Sequence, residues 1–315
     1  MTHRILMVGD SYPPLIGGAT RAVQLLGKEL TARGHSVSVA TPWQPGLALE
    51  EDDDGVAVHR IKGLASRVTI FSADPARRHH PPFPDVMTTV SLRRILNAFR
   101  PDIVHAFGWM TYSCATALIG TGIPLILSAR DYSNVCAVRT LIQASDEGER
   151  ICEGPSPAKC IACASREYGV LKGVAAVGGV LAGRPLLRSK ISALHSCSYY
   201  IEDVMNRFLL DGPHLASSSH APLRAVIPDF REDVSGAAVD RDLLSQLPDT
   251  PFILFVGALR LCKGLEPLFE AYGRLTDPPP LILMGTRNTD TPSNFPSGVH
   301  VFYSVPHPTV MAAWD

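Results

Sequence analysis

Two adjacent glycines, Gly17 and Gly18, are the residues best placed to do chemistry in the first part of this chain. They follow the apolar run Arg4-Ile-Leu-Met-Val-Gly9 and precede a stretch of helical spacing that starts near Ala19. Backbone without a Cβ lets a phosphate approach, and the unpaired N–H groups and dipole of a helix N-terminus attract it. A plain tight turn would use the same pair, and the pair alone does not separate the two readings. The loop lacks the three spaced glycines of a dinucleotide fingerprint, so a hydride-transfer cofactor is not indicated.

Three further groups carry chemistry-bearing types. Arg130, Asp131 and Tyr132 follow the strand-like run Pro124-Leu-Ile-Leu-Ser128, at the end of a parallel strand where α/β clefts place their working residues. Asp131 there is either a ligand-orienting carboxylate or half of a structural ion pair. His105 closes the run Ile103-Val-His105, and a hydrogen-bonded structural histidine is the favoured reading over a ligand. Cys136, Cys152, Cys160 and Cys163 comprise a Cys-x-x-Cys pair with two upstream thiols. Four thiolates can close a tetrahedral zinc site, with Glu153–Lys159 as a knuckle-like loop; reduced loop thiols are the other reading.

The elements that must hold these residues follow a repeating grammar. Strand Arg4–Gly9, helix Ala19–Arg33 stopped by Gly34, and strand Ser36–Thr41 form a parallel βαβ unit. An acidic loop over Glu50–Asp54, a strand over Val56–Ile61 and a loop over 72–85 come next. Helix Ser91–Phe99 is stopped by Pro101. Strands at Ile103–His105 and Pro124–Ser128 flank a helix around Cys114–Ile119. Ile191–Leu210 holds a strand and a helix, and Ala225–Pro228 one more strand. Asp229–Thr250 reads as a linker with a short helix. Phe252-Ile-Leu-Phe-Val-Gly257 then echoes the first strand and is followed by a helix at Leu265–Leu275 and strands at Leu281–Gly285 and Val299–Val305. The reading is two α/β domains, 1–230 and 231–315, the second too short to be complete.

The bulk numbers exclude several classes. Among 315 residues 46% are hydrophobic and 19% charged, and the formal net charge of −1 is scattered, so no nucleic-acid surface is indicated. Seven cysteines without a secretory leader point to a reducing cytoplasm. Tyr168–Leu187 is apolar with Lys172, Arg184, Arg188 and Lys190 within or beside it. It is read as a helix packed on the sheet, with a peripheral membrane contact as the alternative.

Six words occur in order along the chain: Tyr12-Pro-Pro-Leu-Ile-Gly-Gly18, Gly55-Val-Ala-Val-His-Arg60, Pro101-Asp-Ile-Val-His105, Arg130-Asp-Tyr132, Val226-Ile-Pro-Asp229 and Gly257-Ala-Leu-Arg-Leu-Cys-Lys-Gly264. The ordered set resembles the retaining glycosyltransferases of family 4, which have the GT-B fold of two facing Rossmann-like domains with parallel sheets. The resemblance implies metal-independent transfer, with retention, of a sugar from a UDP- or GDP-sugar to a glycan or lipid-linked acceptor, on the inner face of the cell membrane where the acceptor is lipid-linked. No cofactor is required; the cysteine block often accompanies the Arg-Asp word. Gly17 and Gly18 inherit contact with the donor phosphates, and Lys263 the neutralisation of the departing diphosphate. Ala258 stands where the family usually has an arginine, with Arg260 as a partial substitute. Arg130 occupies a position where many members have a histidine near the transferring sugar, and Asp131 is placed to orient a sugar hydroxyl.

The family's two glutamates, seven residues apart, belong after Asp315, so donor affinity of the 315-residue chain is expected to be weak. The alternatives are a non-catalytic fragment that binds acceptor only, and a nucleotide-sugar epimerase of the same fold. The first half offers no convincing carboxylate pair for the latter.

Overall fold

The computed structural model describes residues 1–15, 17–64, 79–145, 148–210, 221–230, 236–288 and 291–314. Ile16 of the glycine loop, the first half of the loop expected over 72–85 and part of the expected linker lie outside the described residues. The chain divides into two units, Met1–Phe230 and Arg231–Asp315.

The first unit opens with β1 (Arg4–Val8), α1 (Gly18–Ala32) and β2 (Ser36–Pro42), the parallel βαβ unit read from the apolar spacing. The buried side of α1 is Thr20, Val23, Gln24 and Gly27. Its polar members are there because they have partners, Ser11 for Thr20 and Asp53 for Gln24. The segment expected as an acidic loop is instead β3 (Glu50–Asp53), paired antiparallel with β4 (Val56–Ile61). Asp54 and Gly55 both take positive φ, 55° and 85°, as a two-residue hairpin turn requires. The Asp-Gly dipeptide before an alternating strand was the signal for it.

Next come α2 (Val86–Phe99), β5 (Ile103–Phe107), α3 (Met110–Ala117) and β6 (Leu125–Ala129). Helix α2 starts five residues before the expected Ser91, because the Asp85 carboxylate caps it by accepting from the Thr88 N–H at 2.8 Å. A small hairpin of β7 (Ile142–Ser145) and β8 (Gly148–Ile151) leads to α4 (Pro157–Tyr168) and α5 (Val170–Lys190). Then follow β9 (Ile191–Ser196), α6 (Tyr199–Met205) with a π-helical turn at Asn206–Leu210, and β10 (Leu223–Val226). The main sheet runs β10-β9-β6-β5-β1-β2-β4-β3, parallel except for β3 at its edge.

The second unit holds α7 (Arg241–Leu244), β11 (Ile253–Val256), α8 (Leu265–Gly273), β12 (Leu281–Gly285), β13 (Val299–Tyr303) and α9 (His307–Trp314). Its three strands form a separate parallel sheet, β11-β12-β13. The sheets of Val8 and Phe255 are therefore distinct, and the fold class is mixed α/β with two parallel sheets.

Helix α5 is apolar and long enough to cross a membrane by length and composition alone. One side of it nevertheless packs against protein: Gly173, Ala176, Val177, Val180, Gly183 and Leu187 are buried. Glycine is needed at Gly173 because an added Cβ would stand 2.6 Å from the Ser165 nitrogen of α4. Gly178, on the same helix, has nothing within 4 Å of that position. Gly173→Val should therefore lower the melting temperature by an amount equivalent to about 1–3 kcal/mol of overpacking. Gly178→Ala should hold it or raise it by roughly 0.5–1 kcal/mol. Thermal melts of the two variants check this, and equal melting temperatures would show that α4 and α5 do not approach as described.

Candidate active site

Because the strands of the main sheet are parallel, the carboxyl ends of β1, β5, β6, β9 and β10 open on one edge. The Gly17-Gly18 loop, Gly108-Trp109, Arg130-Asp131-Tyr132, Cys197-Ser198 and Ile227–Phe230 all leave the sheet there, which is where α/β proteins bind ligands.

The glycine loop is held from its sides and left open at its tip. Tyr12, buried, donates to Asp53 Oδ2 at 2.9 Å, and the same oxygen accepts from Gln24 at 2.7 Å. Lys28 adds an ion pair to Asp53 at 2.8 Å. Burial and then the Asp53 contact push the Tyr12 phenol up. Burial works against the Asp53 carboxylate, but Lys28, Gln24 and Tyr12 outweigh it and hold the group below the usual range. From β4, Arg60 donates to the Pro13 carbonyl at 2.9 Å and grips both oxygens of Glu51. Its side chain is only 1% exposed, so those partners are what make its burial tolerable. At the tip, Gly18 is the first residue of α1, with no side-chain cap, and a Cβ added to it would meet nothing within 4 Å. The hydroxyls of Ser11 and Thr20 pair beside it at 2.6 Å.

A second network ties three strand ends together. Asp10 accepts from the backbone N–H groups of Trp109 at 2.9 Å and Met110 at 2.7 Å, capping α3 from 100 residues away. This explains why α3 begins at Met110, earlier than the expected start near Cys114. Arg139 approaches Asp10 at 3.4 Å, makes a two-nitrogen contact with Asp131 Oδ2 at 2.8 and 3.2 Å, and stacks on the Trp109 ring at 4.9 Å. The other oxygen of Asp131 accepts from the Ser133 N–H at 2.9 Å. Burial would raise the Asp131 carboxyl, but the Arg139 charge and the Ser133 contacts prevail and keep it ionised. Of the two readings of Asp131, the structure displays the ion pair; both carboxylate oxygens are engaged, with part of the side chain still open to solvent.

Arg130 pairs with Asp229 at 2.6 Å, joining the ends of β6 and β10. Below it His105 stacks on Phe107 at 4.4 Å and meets His195 edge-on at 5.9 Å. Its Nε2 is buried without a protein partner. His195 has two partners, Ser128 Oγ at 2.8 Å and the Ile227 carbonyl at 3.0 Å. Burial, then the His195 and Arg130 charges, take the His105 pKa from 6.5 down to about 3, so the ring is neutral at physiological pH. These groups border a cavity of about 430 Å³ over β5, β6, β9 and β10, walled mainly by apolar residues such as Leu26, Phe107, Ile126 and Phe230.

In the second unit Gly257 has φ 156°, and its own carbonyl lies so close to Gly285 that no Cβ would fit there. A 3-10 turn, Leu261–Lys263, follows, with the Lys263 N–H donating to the Arg260 carbonyl at 3.0 Å. The side chains of Arg260 and Lys263 are exposed, and Gly264 starts α8 in the left-handed region at φ 83°.

The four thiols of the cysteine block are not gathered into a metal-holding group in this structure. Cys160 and Cys163 lie on α4 instead of a knuckle loop. Cys163 points its thiol at the Ile142 carbonyl and Cys152 at that of Gly154, while Cys136 packs against the main core. Burial chiefly, with Cys136 and Cys152 nearby, pushes the Cys160 thiol up. Among the described residues no group of three or more His, Cys, Asp or Glu side chains is placed to hold a metal ion.

Sequence reasoning missed Asp10, Arg139 and Trp109. Asp10 had a signal, a carboxylate directly after the first strand. Arg139 had none, since it reaches the site from a left-handed backbone conformation, φ 69°.

A family model for the glycosyl transferase 4-like domain matches residues 17–197. The chain belongs to that family. Sucrose-phosphate synthase from Thermosynechococcus elongatus superposes with a TM-score of 0.61 at 14% identity, covering 99% of this chain and 73% of the other. The catalytic domain of starch synthase IV from Arabidopsis thaliana gives 0.56 at 13%, covering 99% and 77%. A glycosyltransferase from Rickettsia africae gives 0.56 at 12%, covering 99% and 71%. No curated protein matches the chain by sequence. The fold is GT-B, and the protein is a glycosyltransferase.

The buried neutral histidine of this glycosyltransferase sets a pH dependence. His105 binds its proton at about 3 when folded and 6.5 by its ordinary value, so between those values the unfolded chain holds more protons and stability falls as pH falls. His80, fully buried and likewise lowered by burial, adds to the same limb. His105→Phe should flatten the stability-versus-pH curve from pH 6.5 downward, measured by denaturant unfolding at several pH values. An unchanged slope would mean that His105 is solvated.

Proposed function

We propose that the protein transfers a sugar from a UDP- or GDP-sugar to a glycan or lipid-linked acceptor, with retention and without a metal ion. The observation that carries this reading is the uncapped first turn of α1 at Gly18, open to a ligand and reached from a loop whose start is tied down by the Tyr12–Asp53 and Arg60–Pro13 contacts. Such a turn presents backbone N–H groups and a positive dipole end to a diphosphate. Lys263, with Arg260, takes the charge that grows on the leaving nucleoside diphosphate, the role a metal fills elsewhere. Arg130, Asp131 and His105 surround the transferring sugar, Arg130 as the charged group, Asp131 as a positioned carboxylate, and His105 as a neutral wall. The starch synthase relative holds ADP and acarbose, a nucleotide and a saccharide, which supports the same pairing of ligands here.

The first unit serves the acceptor and the second the donor nucleotide in this reading. The cytoplasm is the compartment, with a peripheral contact to the inner face of the cell membrane for a lipid-linked acceptor. The exposed Val170 and Leu171 beside Lys172, at the start of α5, suit that contact.

The test uses the open space at Gly18. Since nothing crowds a Cβ there, Gly18→Ala and Gly18→Val should melt with the wild type. Both should weaken binding of UDP- or GDP-sugars in calorimetry, the valine variant by at least about tenfold, the factor that ~1.4 kcal/mol gives. Equal affinity of Gly18→Val and wild type would remove the glycine loop from donor binding.

A further inference from the structure

The carboxyl ends of β6, β9 and β10 are neighbours in the sheet, with Ala129 and Val226 both level with Ser196. Three tyrosines rise from the segments that follow. Tyr132 comes after β6, and Tyr199 and Tyr200 open α6 immediately after β9. The rings of Tyr132 and Tyr200 stand at 90° with centroids 6.3 Å apart, forming a corner. Tyr199 is 79% exposed and Tyr200 51% exposed, although rings of this size gain most when covered. The flanking polar groups are an ion pair of unequal exposure: Asp229 is 57% exposed, while Arg130, its partner, is 12% exposed. Asp131 lies next to Tyr132 and keeps part of its carboxylate in reach of solvent.

An aromatic corner beside fixed carboxylates and a guanidinium matches one chemistry well. A pyranose ring carries a patch of polarised C–H bonds on one face and a rim of hydroxyls. The negative face of an aromatic ring attracts the first, and ionised groups held in place by ion pairs bond the second. A hydrocarbon chain would use the rings and leave the charges unmatched, and an anion would find Arg130 already paired.

We propose that Tyr132, Tyr199 and Tyr200 form a saccharide subsite of the first unit, with Asp229, held by Arg130, engaging the sugar's hydroxyls, and that the acceptor is a glycan recognised through this sugar. The inference rests on the reading of the first unit as the acceptor side, and it narrows the acceptor from two classes to one. The ring of Tyr200 is the platform; the phenol hydroxyl is dispensable.

Saturation-transfer NMR on the full 315-residue chain, with a panel of methyl hexosides and methyl N-acetylhexosaminides as probes, tests it. At least one probe should receive saturation on its ring C–H protons. Tyr200→Ala should cut that signal by about fivefold or more, and Tyr200→Phe should keep it, as stacking without the hydroxyl requires. Tyr199→Ala, at the most exposed of the three rings, gives a second variant whose folding is not in question, and it should also reduce the signal. Tyr303→Ala in the second unit should leave it unchanged. Saturation of no probe, or equal loss in Tyr200→Phe and Tyr200→Ala, would overturn the proposal. So would co-sedimentation with anionic phospholipid vesicles that is lost in the two alanine variants, since it would assign the rings to a membrane. UDP and GDP binding, read by calorimetry on the same samples, separates the two readings. Nucleotide binding without saccharide binding defeats only this inference, and saccharide binding without nucleotide binding defeats only the donor assignment.

Discussion

The carboxylate of Asp10 is the contact on which the edge of the first unit depends. It sits at the end of β1 and accepts both of the first free N–H groups of α3, those of Trp109 and Met110. A negative charge at a helix N-terminus is favourable by itself, and here it also fixes where β5 ends and α3 begins. The approach is so close that Gly108, with φ 69°, has no room for a side chain against that carboxylate. Arg139 extends the tie to Asp131, and so to the end of β6. The residues at this edge are thus placed by one acidic group and one half-buried guanidinium.

A second clamp acts from the other side. The β3–β4 hairpin supplies Asp53, which takes Tyr12, Gln24 and Lys28, and Arg60, which takes the Pro13 carbonyl. Both ends of the glycine loop are therefore held by side chains whose own charges are satisfied. The tip is the place where backbone donors are left without a side-chain cap. A loop held this way loses little conformational freedom when a ligand arrives, which is the physical content of preorganisation. Thr20 and Gln24 face inward on α1 for the same reason, since the partners that make their burial affordable come from the loop and the hairpin.

The strands were legible because parallel strands buried on both faces read as continuous apolar runs, as Leu6–Val8 and Leu281–Met284 do. The glycine pair was legible as the turn that opens α1 from its place between strand and helix. What escaped depends on distance in sequence. Nothing near Met110 announces that Asp10 will cap it, so α3 was expected to start later. Asp85 is an ordinary N-cap signal for α2, overlooked because the apolar spacing becomes clear only further on. The cysteine block was read from residue type and spacing, which do not reveal that Pro157 would begin a helix and carry Cys160 and Cys163 onto it. Asp131 was ambiguous between ligand and ion pair because its partner, Arg139, reaches it through a backbone conformation that arginine seldom adopts.

The charges at this edge nearly cancel, and that has a consequence for what the first unit can recognise. Arg130 is held by Asp229, and Arg139 is shared by Asp131 and Asp10. Two guanidiniums against three carboxylates leave no net positive field to draw in an anion. Attraction for a phosphate in this unit must come from the α1 backbone, a short-range source that falls off within one helical turn. His105, kept neutral by burial, adds no charge either. The rest of the edge is a surface of paired charges and aromatic rings. Such a surface offers hydrogen-bond geometry and ring contact, in place of net charge, as its means of discrimination.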